Sequence, residues 1–364
     1  MGELERLREQ IDKLDSELMD RIDKRAEIAK KIGKIKEKRK MSVLQEDRER
    51  IVLDHISNLA KNISPINAKL IWKEIMSACR QVQGEINKVA YLGPEGTFTQ
   101  QAAMAFFAKG NTEFIPYGHK FEIVDEVEKK HVTYGILPIE NSLHGSVTES
   151  LDLLIERNVK IYGEIEIPII HNLIGFEGTE LKEIKKIFSH PAVFAQVRTW
   201  VKKNVPNAKL IEKASTANAI SEVKELGKKE IVAIGTKMAA KINDLSILEE
   251  GIEDDPSNFT RFVIISNKQQ PPSEKDKTSM VFVTKHKPGA LFNILRYFKE
   301  GNVNLTKLES RPRKRSKSSV WEYIFIVDFE GNPQNVKDVL KKVEQEAIWM
   351  KILGSYPKNQ YVRE

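Results

Sequence analysis

From Glu3 to about Lys40 the apolar residues Leu4, Leu7, Ile11, Leu14, Leu18, Ile22, Ala26, Ala29, Ile32 and Ile35 recur at steps of three and four. No proline interrupts them and only Gly33 breaks the run. The pattern predicts one long amphipathic helix, about 50 Å at 1.5 Å per residue. The remaining helices of so short a segment cannot cover that length of apolar stripe, so a second chain is expected to supply the cover. Helical patterns follow from Gln45 to Lys61 and from Pro65 to Gln83, the latter with Ser64 as N-cap and Pro65 at the first helical position. Residues 1–86 therefore read as an all-α domain.

After Glu85 the pattern changes to short β-rich runs, VAYLG, YGILPI, KKIFS, AKLIE, IVAIG and FVIIS, alternating with helical stretches. This predicts α/β construction with largely parallel strands over residues 87–268. The polar run QQPPSEKDK, Gln269 to Lys277 with Pro271 and Pro272, reads as an exposed linker. From Thr278 the order is strand (SMVFVT), helix (Pro288 to Lys299), two strands (VNLTKLES, WEYIFIVDF), helix (Pro333 to Glu346) and strand (WMKILGSY). That is the ferredoxin-like βαββαβ arrangement of an α+β domain, placed at residues 277–357. The chain is thus expected to be multidomain.

Composition agrees with this division. At 364 residues the chain exceeds what one hydrophobic core fills. No window approaches the roughly 18 consecutive apolar residues of a membrane span. The start is charged from Glu3, and Arg6 stands where a myristoylation signal requires Ser or Thr, so cytoplasmic residence is the default. Cys79 is the only cysteine, which excludes an internal disulfide and a zinc site built on clustered cysteines. A net charge of +7 favours anionic partners without choosing among nucleic acid, membrane surface and small polyanionic metabolites. The basic run RPRKRSK, Arg311 to Lys317, lacks interleaved aromatics and reads as a solvated hairpin loop rather than a nucleic-acid patch.

Arg25 and Lys36 lie 11 residues apart, about three helical turns with roughly 20° left over, so both cations project from one face and can clamp one dianion. Arg8 lies about 100° away around the helix and shares a pocket with them only if it comes from another chain. Read blandly, these are solvated charges on a Lys- and Glu-rich helix.

In the α/β segment, LGPEGTFTQQAA places Gly93, Pro94 and Gly96 between a strand and a helix capped by Thr97, an anion cradle or a plain glycine turn. PIENS ends another strand with Glu140, Asn141 and Ser142. In SHPAVFAQVR, Ser189 or His190 caps a helix ahead of Pro191, or His190 donates a proton; KASTANAI repeats the geometry at Ser215 and Thr216. NFTRFVII sets Asn258, Thr260 and Arg261 at the entry of a buried strand.

Taken together these motifs resemble known families. LREQIDKLDSELMDRIDKRAEIAKKIGKIK with DRERI and IMSACRQVQ resembles the all-helical chorismate mutases. LGPEGTF, LPIENS, SHP with Gln196, STANA and NFTRF in this order resemble prephenate dehydratases; KPGALFNIL and NVNLTKLESRPRK resemble the ACT regulatory domain of the same enzymes. The resemblance implies a bifunctional enzyme of phenylalanine biosynthesis, chorismate mutase joined to prephenate dehydratase, with a bilobed dehydratase of the periplasmic-binding-protein type.

For the mutase it implies that Arg25, Lys36, Arg48 and the partner chain's copy of Arg8 hold chorismate, with Glu49 and Gln83 as polar contacts. Gln45 and Cys79 occupy substrate-contact positions where other members carry Asp and Ser. For the dehydratase it singles out Thr260 as the residue tied to dehydration, with Arg261 suited to a substrate carboxylate. Asn141, Ser142, Ser189, His190, Ser215, Thr216 and Asn258 are the remaining cleft contacts. For regulation it implies a phenylalanine site formed by Gly289, Ala290, Leu291, Asn304, Leu305, Glu309, Ser310, Arg311 and Pro312 between paired domains.

No cofactor and no metal is expected. The partners expected are chorismate, prephenate, phenylalanine and a second copy of the chain, with neither nucleic acid nor membrane. A non-catalytic amino-acid sensor would leave the mutase set and Thr260 unexplained, and a preference for arogenate over prephenate is a question for assay.

Overall fold

The computed structural model describes residues 2–39, 46–84, 86–312 and 323–358. Gln45 and most of the basic run after Pro312 lie outside the described residues. The chain divides into two compact units, residues 1–88 with 107–113, and residues 89–106 with 114–364. Among the described residues no helix is long and apolar enough to cross a membrane.

The first unit holds helices α1 (Glu3–Lys38), α2 (Glu46–Leu59) and α3 (Pro65–Gln81). The Ser64 hydroxyl starts α3 by accepting the Asn67 amide at 3.2 Å, with Pro65 in the first turn, as the sequence predicts. Helix α3 packs against both α1 and α2, burying Ala68, Met76 and Cys79. A Cβ at position 33 would come within 2.9 Å of Gln83 Cγ, so Gly33, the one break in the α1 pattern, lets that helix approach the end of α3. Residues 107–113 belong to this unit as well. There Ser77 Oγ donates to Asn111 Oδ1 at 2.6 Å and accepts the Asn111 amide at 3.0 Å. The apolar stripe of α1 stays bare, with Leu4, Leu7, Ile11, Leu14 and Leu18 each 49–62% exposed.

The second unit begins with a lobe built from β1 (Asn87–Leu92), α4 (Phe98–Phe106), β2 (Thr112–Tyr117), α5 (Lys120–Glu128), β3 (Tyr134–Asn141), β4 (Gly145–Ser146), α6 (Thr148–Glu156) and β5 (Lys160–Pro168). A second lobe follows with β6 (Asn172–Gly175), β7 (Lys186–Ser189), α7 (Pro191–Gln196), α8 (Arg198–Asn204), β8 (Lys209–Glu212), α9 (Thr216–Leu226), β9 (Ile231–Gly235), α10 (Lys237–Ile242) and β10 (Ser246–Glu249). The chain then returns through β11 (Phe259–Ser266), giving sheet orders β2-β1-β3-β11-β5 and β10-β6-β9-β7-β8. Two crossover segments join the lobes, tied by Ile169 N–H to Asn258 O at 2.8 Å and Ile252 N–H to His171 O at 2.9 Å.

The expectation of largely parallel strands is corrected here. Strand β1 is parallel to β3, and β7 to β8 and β9, but β11 is antiparallel to both β3 and β5, and β6 to β9 and β10. The reason is the double crossover: a strand returning from the second lobe enters the first sheet against the direction of the strands that left it.

The chain ends in β12 (Asp276–Val283), α11 (Ala290–Glu300), β13 (Leu305–Pro312), β14 (Tyr323–Glu330), α12 (Lys337–Glu346) and β15 (Trp349–Pro357). These form an antiparallel sheet of order β13-β14-β12-β15, the βαββαβ fold that the sequence predicts. The expected linker is shorter than read, because β12 already starts at Asp276, whose buried carboxylate accepts from the Ser273 amide and Asn332 Nδ2, both at 2.9 Å. This domain is no loose appendage: Val281, Val283, Leu353 and Tyr356 share one core with Leu151, Ile161 and Val263 of the first lobe. Gly354 lies directly on the Ile161 carbonyl, where any Cβ would collide.

Candidate active sites

In the helical unit, Arg25 and Lys36 sit half-buried on α1 either side of Gly33, the face that the 11-residue spacing predicts. The end of α3 supplies Gln83, whose Nε2 donates to Cys79 O at 3.0 Å while its Oε1 is buried without a partner. Cys79 is 2% exposed, and what it gives the site is this carbonyl. From α2 come Arg48, exposed, and Glu49, whose carboxylate is paired with Arg80. Arg80 was not singled out from sequence, although it lies one helical turn before Gln83; its Nε is a second buried, unpartnered polar atom here. Arg8 is exposed on the bare half of α1.

In the second unit, Asn141 and Thr260 are paired opposite each other on β3 and β11. Asn141 Oδ1 accepts the backbone amides of Leu143 (3.0 Å) and His144 (3.1 Å), which fixes the orientation of its amide. Its Nδ2 therefore points at Thr260 Oγ1 (3.0 Å), Asn258 Oδ1 (2.8 Å) and Phe259 O (3.1 Å). A threonine oxygen that accepts from Asn141 keeps its own hydrogen free to donate elsewhere. Ser142 lies beside this pair, donating to Ser257 O at 3.0 Å.

Opposite, in the second lobe, His190 accepts the Ala192 amide at 3.2 Å and Ser215 accepts the Asn218 amide at 3.0 Å, so both are helix caps. Ser189 is fully buried on Ile234 O (2.9 Å), and Thr216 opens α9 nearly buried. The lobes meet at the glycine turn. Gly96, at φ +85°, packs on Ala239, where a Cβ would come within 2.6 Å, and its carbonyl accepts from Thr236 Oγ1 at 2.6 Å. Thr236 was not anticipated.

Arg261 is engaged within the chain by two carboxylates and a hydroxyl. Side chains alternate faces along a strand, so the residue after Thr260 points away from it. The Arg261 guanidinium lies on the other face of the sheet, 9% exposed, donating to Glu164 (2.7 Å), Asp328 (2.7 Å) and the Tyr356 hydroxyl (3.0 Å). Lys277 joins Glu164 at 2.9 Å, and Lys307 joins Glu140 at 2.9 Å, so the first lobe and the C-terminal sheet are held by a buried charge network. Burial works against the guanidinium charge, but Tyr356, Asp328 and Glu164 outweigh it and hold the group protonated. Arg261 thus fastens the first lobe to the C-terminal sheet.

The C-terminal domain carries an open groove of about 480 Å³ whose lining includes Pro288, Gly289, Ala290, Leu291 and Phe325. Gly289 takes φ +80°, which a residue with a side chain rarely adopts, and opens α11. Asn304 donates to Glu330 at 3.1 Å and Leu305 begins β13. Further along β13, Glu309 pairs with Lys307 (3.3 Å) and accepts from Ser146, and Arg311 reaches Asp152 at 2.7 Å. Ser310 and Pro312 fall on the alternate positions of this strand. One chain therefore brings the 289–291 segment to the groove and ties Glu309 and Arg311 to the first lobe.

A family model described as chorismate mutase type II matches residues 7–84, and one described as prephenate dehydratase matches residues 89–270. The bifunctional chorismate mutase/prephenate dehydratase of Aquifex aeolicus is 40% identical over 98% of this chain and 99% of its own length. The chain belongs to the bifunctional chorismate mutase/prephenate dehydratase family. Its mutase region is the three-helix unit and its dehydratase region is the pair of lobes.

Among solved structures, the prephenate dehydratase of Arthrobacter aurescens in complex with L-Phe is 32% identical, with a TM-score of 0.68 over 74% of this chain and 90% of that one. A quorum-quenching acylase, GqqA, is 30% identical with the same TM-score over 76% of this chain and all of that one. One fold therefore hosts differently described activities, and roles within the dehydratase region have to rest on its residues.

Proposed function

We propose that the mutase region rearranges chorismate to prephenate and that the dehydratase region converts prephenate to phenylpyruvate, carbon dioxide and water, under control by phenylalanine. The rearrangement is intramolecular. It needs the substrate held compact and negative charge on the ether oxygen stabilised, which the Arg25 and Lys36 cations and the Gln83 amide suit. Arg48 and Glu49 are read as further contacts of this site, Glu49 being paired with Arg80, and Arg8 as one supplied by a second copy laid along the bare stripe of α1.

In the dehydration, the ring carboxylate leaves as carbon dioxide and its bonding pair moves into the ring. The ring carbon–oxygen bond breaks as the ring becomes aromatic, and hydroxide departs and is protonated to water. The observation that carries the assignment is the bond from Asn141 Nδ2 to Thr260 Oγ1. It leaves the threonine hydrogen available to the departing hydroxide, where a positioned donor lowers the barrier. Asn258, Ser142, Ser189, Ser215 and Thr216 shape the cleft, the last two at a helix start suited to a carboxylate. His190 is a cap whose imidazole faces outward.

Turnover of chorismate, with prephenate and phenylpyruvate followed separately, tests this. Thr260→Ala is expected to stop at prephenate, with dehydration down by about a hundred- to ten-thousand-fold and mutase rate unchanged. Dehydratase activity within threefold of the parent would overturn the role of Thr260. Arogenate in parallel assays decides the substrate preference.

The C-terminal βαββαβ domain is read as an ACT domain, and the groove at Gly289, Ala290 and Leu291 as its phenylalanine site. Phenylalanine at about 100 times its dissociation constant adds about 2.7 kcal/mol to the state it binds. The melting temperature is therefore expected to rise by several degrees with phenylalanine and not with alanine. No shift would remove the groove from the proposal. The cytoplasm is the proposed location.

A further inference from the structure

Thr260 is oriented by Asn141 and Asn258 only if something fixes the amide of Asn258 in turn. The bonds determine a direction. Asn141 Nδ2 donates to Asn258 Oδ1, so Asn258 Nδ2 is the group that donates to Gln196 Oε1 at 2.9 Å. Gln196 Oε1 is then an acceptor, and the ring nitrogen 2.7 Å from it, His171 Nε2, has to carry the hydrogen. Gln196 Nε2 faces His144 Nε2 at 3.0 Å at the far end of the chain.

We propose that His171 is a positioning residue of the dehydratase, acting through Gln196 and Asn258 to hold Asn141 and Thr260 in the donating arrangement. The proposal rests on the reading of Thr260 above. His171 stands in the isolated apolar run PIIHNL on the outgoing crossover and is 1% exposed. Its backbone is tied to the returning crossover on both sides, N–H to Glu253 Oε2 at 2.8 Å and O to Ile252 N–H at 2.9 Å. The ring meets Phe98 edge-on, with centroids 5.7 Å apart.

Its Nδ1 is buried and makes no hydrogen bond. A side chain retained only for packing would not place an unpaired ring nitrogen in the core; the one bond it makes, to Gln196, gives the residue its purpose. Burial holds the imidazole below its ordinary pKa, which keeps it the neutral single donor that the chain needs. Gln196 ends α7 of the second lobe, while Asn141 and Thr260 belong to the first. The relay therefore crosses the cleft at the crossovers, and Thr260 is set for donation when the lobes stand as they do here.

Full-length His171→Leu, His171→Gln and Gln196→Leu variants, the double variant His171→Leu/Gln196→Leu, and Thr260→Ala as reference, test this with prephenate as substrate. A glutamine at 171 places a donor near the position of Nε2. The expected result is a kcat reduced by about 100-fold in His171→Leu with KM within threefold, at least tenfold recovery in His171→Gln, and a double variant no slower than Gln196→Leu alone. Multiplying effects in the double variant, or a His171→Leu enzyme that turns over at the parental rate while Thr260→Ala does not, would overturn the positioning role. Parental activity in Thr260→Ala would instead remove the reading beneath it. Melting curves of each variant separate lost turnover from lost fold.

Discussion

Asp328→Ala is expected to destabilise the second unit by about 3–5 kcal/mol, the range for removing one partner of a buried ion pair. The carboxylate is 2% exposed and takes Arg261 at 2.7 Å and Ser279 Oγ at 2.6 Å. Without it the guanidinium remains buried against Glu164 and the Tyr356 hydroxyl, with a neighbouring ammonium at Lys277 no longer balanced. Because Arg261 follows Thr260 on β11, the loss is also expected to loosen the strand that bears the Thr260 hydroxyl. Denaturant unfolding of the two proteins measures the difference; a change under 1 kcal/mol would show that water or rearranged side chains replace Asp328 without penalty.

The same carboxyl sets a pH dependence. Burial pushes its pKa up, but Arg261, Lys277 and Ser279 outweigh burial and hold it below the ordinary value. A depressed carboxyl contributes stability that is fully present above about pH 4, the ordinary value, and is lost as the pH falls through the lower native value. The parent is therefore expected to lose stability on acidification more steeply than Asp328→Asn.

Periodicity in the sequence is enough to place α1, which ends at Lys38, within two residues of the expected end at about Lys40, because a solvent-bounded helix is governed by its own repeat. The caps at Ser64, His190 and Ser215 were legible for the same local reason. What was not legible depends on contacts over long separations. The antiparallel entry of β11 follows from a double crossover that no short window contains.

The direction of Arg261 has a local cue, since adjacent strand residues face opposite ways. Nothing in that pattern, however, named Asp328 and Tyr356, more than 60 residues away, as the groups it meets. His171 carried one faint signal, a polar pair with Asn172 inside an otherwise apolar run, while its link to Gln196 spans 25 residues and two lobes. Motifs thus name candidate residues, and side-chain direction, which motifs do not carry, sets which groups each of them meets.

Leu7→Asp with Leu14→Asp on α1 is expected to lower mutase turnover by at least about 100-fold while leaving dehydration of prephenate unchanged. Both side chains are more than half exposed in the single chain, at 51% and 62%, on a stripe that continues through Leu4, Ile11 and Leu18. A run of five such residues is more bare apolar surface than a helix carries without a partner. A second copy of the chain is the proposed occupant, since Arg8 lies on this same bare half, about 100° around the helix from Arg25, and would complete a site only from another chain. Two carboxylates set into such an interface remain desolvated and unpaired, so the copies separate along α1 and each site loses its partner's arginine. Mutase rate should then rise with protein concentration in a milder Leu14→Ala variant, as mass action on the pairing requires. Full mutase activity in the doubly charged variant would mean that each chain forms its site alone, and that the stripe is covered by something other than a second copy.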